Sequence, residues 1–137
     1  LLGLSHDTAA RLRRHGLRAG RVGLKLRYAD FATISRSRTL GHPVTSAHDL
    51  YSEACALLDG IGPRPQSVRL LGVRAEKLTG SEHALQLSLD GREAEWGAAE
   101  EAMDRVHHKF GPGTLRPARL MEPTMPNRPA RDILDDT

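Results

Sequence analysis

Cations two and four residues apart are the residues in this sequence best placed to do chemistry. Arg21, Lys25 and Arg27 alternate with Val22, Leu24, Leu26 and Tyr28. An extended segment here would turn its cations to one side and its apolar side chains to the other. A few residues on, Ser35, Ser37 and Thr39 interleave with Arg36 and Arg38. Guanidinium and ammonium groups form charge-assisted hydrogen bonds to phosphate oxygens, so the pattern reads as a surface facing a polyanion. The competing reading is a set of solvated arginines with no partner.

Motifs for other chemistry are absent. There is no P-loop, no GxGxxG after a strand and no HExxH. The histidines are scattered, and His107 and His108, being adjacent, diverge on a helix and make a poor metal pair. Cys55 reads as a structural thiol on a helix. Glu100, Glu101 and Asp104 read as a solvated acidic helix face, not as Mg²⁺ ligands. No catalytic residue, metal site or cofactor is therefore expected within this chain.

The 137 residues suit one domain with an appendage. Residues 1–40 carry nine Arg or Lys against Asp7 and Asp30, whereas residues 81–110 carry three basic and seven acidic side chains. A basic sheet-forming segment thus sits beside an acidic appendage. The single cysteine excludes an internal disulfide and suits a reducing compartment. No apolar run is long enough to span a membrane, so no membrane partner is expected. The sequence opens on Leu1, not Met, and reads as part of a longer chain whose catalysis would lie elsewhere.

These residues need elements to hold them. A helix is expected from Leu4, capped by Ser5, to a stop at Gly16. Leu17 to Gly20 reads as a connection. Arg21–Ala29 and Phe31–Leu40 read as two antiparallel strands joined by a short turn at Asp30. Gly41, His42 and Pro43 then break the pattern. Ser46 caps a second helix to about Asp59, with Leu50, Ala54, Leu57 and Leu58 as its stripe. Val68–Leu78 reads as a third strand, interrupted by Gly72. Trp96, Ala99, Met103, Val106 and Phe110 fall at steps of three and four on a third helix from about Arg92 to Phe110. Five of the eight prolines follow Gly111, which reads as a loose tail. The domains expected are residues 1–78, a linker over 79–91, an amphipathic helix over 92–111 and a tail over 112–137.

The runs Leu12-Arg13-Arg14-His15-Gly16-Leu17-Arg18 and Val22 to Leu40, with its Tyr28-Ala29-Asp30-Phe31 core, resemble a known family. It is the C-terminal little finger domain of Y-family translesion DNA polymerases, nearest the bacterial DinB type, DNA polymerase IV. Val68-Arg69-Leu70-Leu71-Gly72-Val73 resembles that domain's last strand. The resemblance spans about residues 5–78 in order and spacing. It implies an α+β fold: an antiparallel sheet with two helices on one face, here without the family's first strand, which would precede the first helix. The extra C-terminal amphipathic helix lies outside the resemblance.

The resemblance also implies function. The sheet would grip the backbone of primer-template duplex DNA, independently of sequence, through Lys25, Arg27, Ser35, Arg36, Ser37, Arg38, Thr39, Arg69 and Arg74. Arg69 and Leu70 stand where the family often has two basic residues. Gln86-Leu87-Ser88-Leu89 resembles a peptide that binds the sliding clamp (the β subunit), although Asp90 occupies its usual aromatic position. The parent protein would be a DNA-directed DNA polymerase in the bacterial cytoplasm, at the nucleoid, acting in damage tolerance and repair with Mg²⁺ in another domain. Two other readings stay open. One is a non-catalytic adaptor related to these polymerases. The other is an RNA-binding or ribosome-associated α+β module, which would expose aromatics for base stacking.

Overall fold

The computed structural model describes residues 1–80 and 91–120. Gln86, Leu87, Ser88 and Leu89 lie outside these described residues. The elements are α1 (Leu2–Arg14), β1 (Leu17–Tyr28), β2 (Thr33–Val44), α2 (Ala47–Asp59), β3 (Val68–Gly80) and α3 (Gly91–Phe110), followed by a 3₁₀ turn at Ala118–Leu120. The three strands form one antiparallel sheet in the order β2-β1-β3. α1 packs over β1 and β3, and α2 over β1 and β2. The sheet therefore has one covered side and one open side, which is the α+β arrangement expected.

Alternation along β1 sets the covered side. Val22, Leu24 and Leu26 are fully buried and Tyr28 nearly so. Ala9 and Leu12 of α1 and Leu50, Ala54 and Leu57 of α2 close over this row. Truncating a core residue such as Leu24 to Ala would cost about 2–5 kcal/mol.

Several boundaries differ from expectation. α1 begins at Leu2, so Ser5 is no cap; it is fully buried inside the helix and its hydroxyl has no hydrogen-bond partner. Gly16, at φ 61°, adopts the left-handed conformation that turns the chain out of α1. The chain then enters β1 directly, so Leu17 to Gly20 is strand and not connection. β2 runs through Gly41, His42 and Pro43 to Val44, and these breakers show instead as a jump in register between Arg21↔Thr39 and Ala19↔Val44. An edge strand tolerates such an irregularity, and proline within it, because one side needs no ladder partner. β3 continues across Gly72 to Gly80. Ser46 does cap α2, its hydroxyl accepting from the Asp49 N–H at 3.3 Å.

α3 packs in an unexpected way. Glu100 and Asp104 face the body, and the apolar seam stays partly outside. Glu100 is only 3% exposed, and both of its carboxylate oxygens accept from the Ala47 N–H at 2.9 Å. Glu100 thus satisfies a donor at the N-terminus of α2 from another helix. Arg13 pairs with Glu100 and, through two nitrogens, with Asp104. Burial alone would lower the Arg13 pKa, but Asp104 and Glu100 outweigh it and hold the guanidinium above its ordinary value. The solvated acidic face expected for Glu100, Glu101 and Asp104 is therefore corrected in part: Glu100 is buried and Asp104, half-buried, is engaged by Arg13, while Glu101 stays exposed. At the other end of the helix, Trp96 stacks on His48 of α2 with ring centroids 5.0 Å apart, yet Trp96 is 49% and Phe110 63% exposed. Residues 111–120, the described part of the chain after α3, carry contacts of their own. His107 Nε2 contacts the Leu115 carbonyl at 2.6 Å, and the Leu120 N–H closes the 3₁₀ turn onto the Pro117 carbonyl at 2.8 Å.

Candidate nucleic-acid interface

The register identifies which residues share the open side. Across β1–β2 the facing pairs are Arg21↔Thr39, Gly23↔Ser37, Lys25↔Ser35 and Arg27↔Thr33. Across β1–β3 they are Arg21↔Glu76, Gly23↔Arg74, Lys25↔Gly72 and Arg27↔Leu70. Directly opposed residues lie on one face of a sheet. The open side therefore gathers Arg21, Lys25, Arg27 and Arg74 beside the hydroxyls of Thr33, Ser35, Ser37 and Thr39.

Side-chain contacts agree with this assignment. Arg21 Nε donates to Thr39 Oγ1 at 3.1 Å, and Arg27 Nε donates to Thr33 Oγ1 at 3.0 Å. Both partners are neutral, so each arginine is held in place without losing its charge. Lys25, between Ser35 and Gly72, is crowded by neither neighbour. Arg74 and Glu76 form an exposed pair at 3.6 Å, worth about 1 kcal/mol at most. They lie across Gly23, where an added Cβ would come within 3.0 Å of Glu76 Oε1 and 3.7 Å of Arg74 Cβ. Arg21 to Arg27 covers roughly 20 Å of strand at ~3.3 Å per residue. That matches the axial rise of about six nucleotides in one strand of duplex.

Three of the residues expected on this face stand elsewhere. Arg36 and Arg38 pair with Leu24 and Val22 and so belong to the helix side of β2. Arg38 Nη1 reaches Glu53 of α2 at 3.3 Å, and Arg36 Nη1 donates to the Ser35 carbonyl at 3.1 Å. β2 is an edge strand, so these long side chains escape the core around its rim while keeping covered-side parity. Arg69 lies at the end of the sheet with its guanidinium 4.6 Å over the Phe31 ring. Arg21, which the alternation put on the cationic side, and Thr33, which shares the parity of Ser35, join the face although the resemblance named neither.

Among the described residues no three His, Cys, Asp or Glu cluster closely enough to share an ion. Glu100 and Asp104 are already engaged by Arg13. Among the described residues no helix is long and apolar enough to cross a membrane.

Residues 1–89 match the model of the impB/mucB/samB family C-terminal domain. Relatives named DNA polymerase IV include one from Dehalococcoides mccartyi strain 195, 35% identical over 117 residues, which covers 85% of this chain and 30% of the relative. One from Desulfatibacillum aliphaticivorans is 34% identical over 124 residues, covering 88% of the chain and 31% of the relative. DNA polymerase IV 1 of Bacillus subtilis is 32% identical over 123 residues, covering 85% and 30%. The chain thus spans about 30% of the length of these relatives. The shared residues cover both the sheet and the helices behind it, and the chain belongs to the impB/mucB/samB C-terminal domain family, the little finger type of DinB polymerases.

Proposed function

We propose that this chain is the domain with which a DinB-type translesion polymerase holds duplex DNA. The observation that carries the reading is the one-sided sheet. Every helix that packs on it lies on one side, and the other presents Arg21, Lys25, Arg27 and Arg74 among small hydroxyls. Such a face suits phosphate rails, and contacts to phosphate carry no base sequence. A polymerase that advances along any template needs this indifference to sequence. Nucleotide transfer, with Mg²⁺, is assigned to another part of the longer parent protein, acting in damage tolerance and repair in the bacterial cytoplasm.

Four cations on the face set the expected strength of the grip. With about four phosphates neutralised, log K should fall against log salt with a slope of roughly −3.5. A filter-binding titration of labelled duplex over a range of salt reads that slope directly. A slope near zero, or affinities that differ strongly between duplex sequences, defeats the reading.

Recruitment to the sliding clamp is assigned to Gln86, Leu87, Ser88 and Leu89. The glutamine would hydrogen-bond in a polar pocket and the leucines would enter an apolar groove. Asp90 in place of an aromatic weakens the contact, because a charge resists transfer into that groove. Gln86→Ala with Leu89→Ala should abolish co-elution with the clamp on a sizing column; retained co-elution would remove the assignment. The adaptor reading shares the same DNA face, and primer extension by the parent protein separates the two.

A further inference from the structure

We infer that Phe31 and Arg69 form a stacking platform for an unpaired base, so that the hairpin end of the open face takes single-stranded DNA as it leaves the duplex. The inference rests on the reading of the open face as a DNA track and adds a second kind of contact to it.

Phe31 sits at the tip of the β1–β2 turn with φ 69°. This left-handed conformation suits Gly or Asn and is a true outlier for a bulky aromatic. The surrounding bonds impose it. The Phe31 N–H donates to the Tyr28 carbonyl at 3.0 Å, the Tyr28 N–H to the Ala32 carbonyl at 2.9 Å, and the Ala32 N–H to Asp30 Oδ1 at 2.9 Å. The Ala29 N–H ties the same turn to the Ser67 carbonyl at 3.0 Å, just ahead of β3. A rigid turn therefore carries an aromatic in a costly conformation, and burial does not compensate, because Phe31 is 60% exposed. Strain that packing does not repay points to use.

The surroundings say what kind of use. The Arg69 guanidinium lies 4.6 Å over the Phe31 ring centroid, and Phe31 as a whole keeps most of its surface open to solvent. Arg27, the last cation of the track, sits next to the turn and holds Thr33, which follows it. Leu70, 42% exposed, faces Arg27 on the same side and adds apolar surface there. A flat aromatic backed by a cation, at the end of a row of phosphate-binding groups, matches a nucleobase with its phosphate. The stacked interior of a duplex offers no base face to it. The strand running beyond the duplex end does, and stacking of this kind is tolerant of sequence.

The test uses the full chain with a labelled blunt duplex and with the same duplex bearing a short single-stranded overhang. The wild type is expected to favour the overhang by about tenfold. Phe31→Gly suits the backbone at this position and should melt no earlier than the wild type. It should lose the overhang preference while changing blunt-duplex affinity by no more than about twofold. Phe31→Trp should keep the preference. Lys25→Ala with Arg27→Ala should weaken both substrates together and so reports on the track alone. If Phe31→Gly keeps the preference, or lowers both substrates equally, or if the wild type shows no preference, the platform is overturned. If the Lys25/Arg27 variant is also without effect, the DNA track itself is wrong.

Discussion

On the open side of the sheet, Arg21 and Arg27 each donate to a threonine hydroxyl; at the meeting of α1, α2 and α3, Arg13 donates to two carboxylates. The side chain is the same and the outcome is opposite. A hydroxyl fixes a guanidinium's direction and leaves its charge for an incoming anion. Two carboxylates, one of them buried, consume that charge inside the fold. The difference teaches that an arginine's availability is read from the charge of what holds it, not from its exposure alone. Arg21 and Arg27 are themselves half-buried, their stems lying along the neighbouring strands.

The largest test of this contrast is Arg13→Ala. It would strand Glu100 as a buried, unpaired carboxylate beside the start of α2. The expected loss is about 3 kcal/mol in urea unfolding, with no change in DNA binding. Arg21→Ala, by comparison, should shift stability by less than about 0.5 kcal/mol. If Arg13→Ala were as mild as Arg21→Ala, the anchor would be only a surface ion pair.

Next in size is Lys25→Ala with Arg27→Ala. Each removes one charge-assisted contact worth about 1–2 kcal/mol to duplex DNA, and together they should make the salt slope shallower by about 2 units. Folding stability should stay within about 0.5 kcal/mol of wild type, since neither side chain joins the core. Weakening confined to particular duplex sequences would mean that the face reads bases after all.

How far these two regions were legible in the sequence follows from the range of their interactions. β1 could be read because every second residue from Val22 to Tyr28 is apolar, and one helix-covered side is enough to fix its parity. α2 could be read because its cap and stripe are local. The anchor could not. Glu100 and Asp104 stand one helical turn apart, as a solvated acidic stripe also would, and Arg13 is 87 and 91 residues distant. Ser5 looked like a cap because cap preference is a property of residue type, whereas burial of that turn is set by tertiary packing. Phe31 looked like the first residue of a strand, since nothing in a phenylalanine announces a left-handed turn. Arg36 and Arg38 differ from these: their parity with Ile34 was visible, and the structure keeps it.

That parity supplies the smallest test, and the one that most sharpens the contrast. Arg36→Ala with Arg38→Ala removes as much formal charge from the chain as the Lys25/Arg27 variant does. If net charge governed DNA binding, the two variants would behave alike. Parity places Arg36 and Arg38 on the helix side, and Arg38 is already paired with Glu53. The exposed pair at 3.3 Å contributes no more than about 1 kcal/mol, so stability should hardly move. Duplex affinity should fall by less than about threefold and the salt slope by less than about half a unit, because charges beyond a Debye length of about 8 Å act only weakly through physiological salt. A loss equal to that of Lys25→Ala with Arg27→Ala would show that the duplex wraps the rim of β2 and reaches the helix side, and the boundary of the interface would move with it.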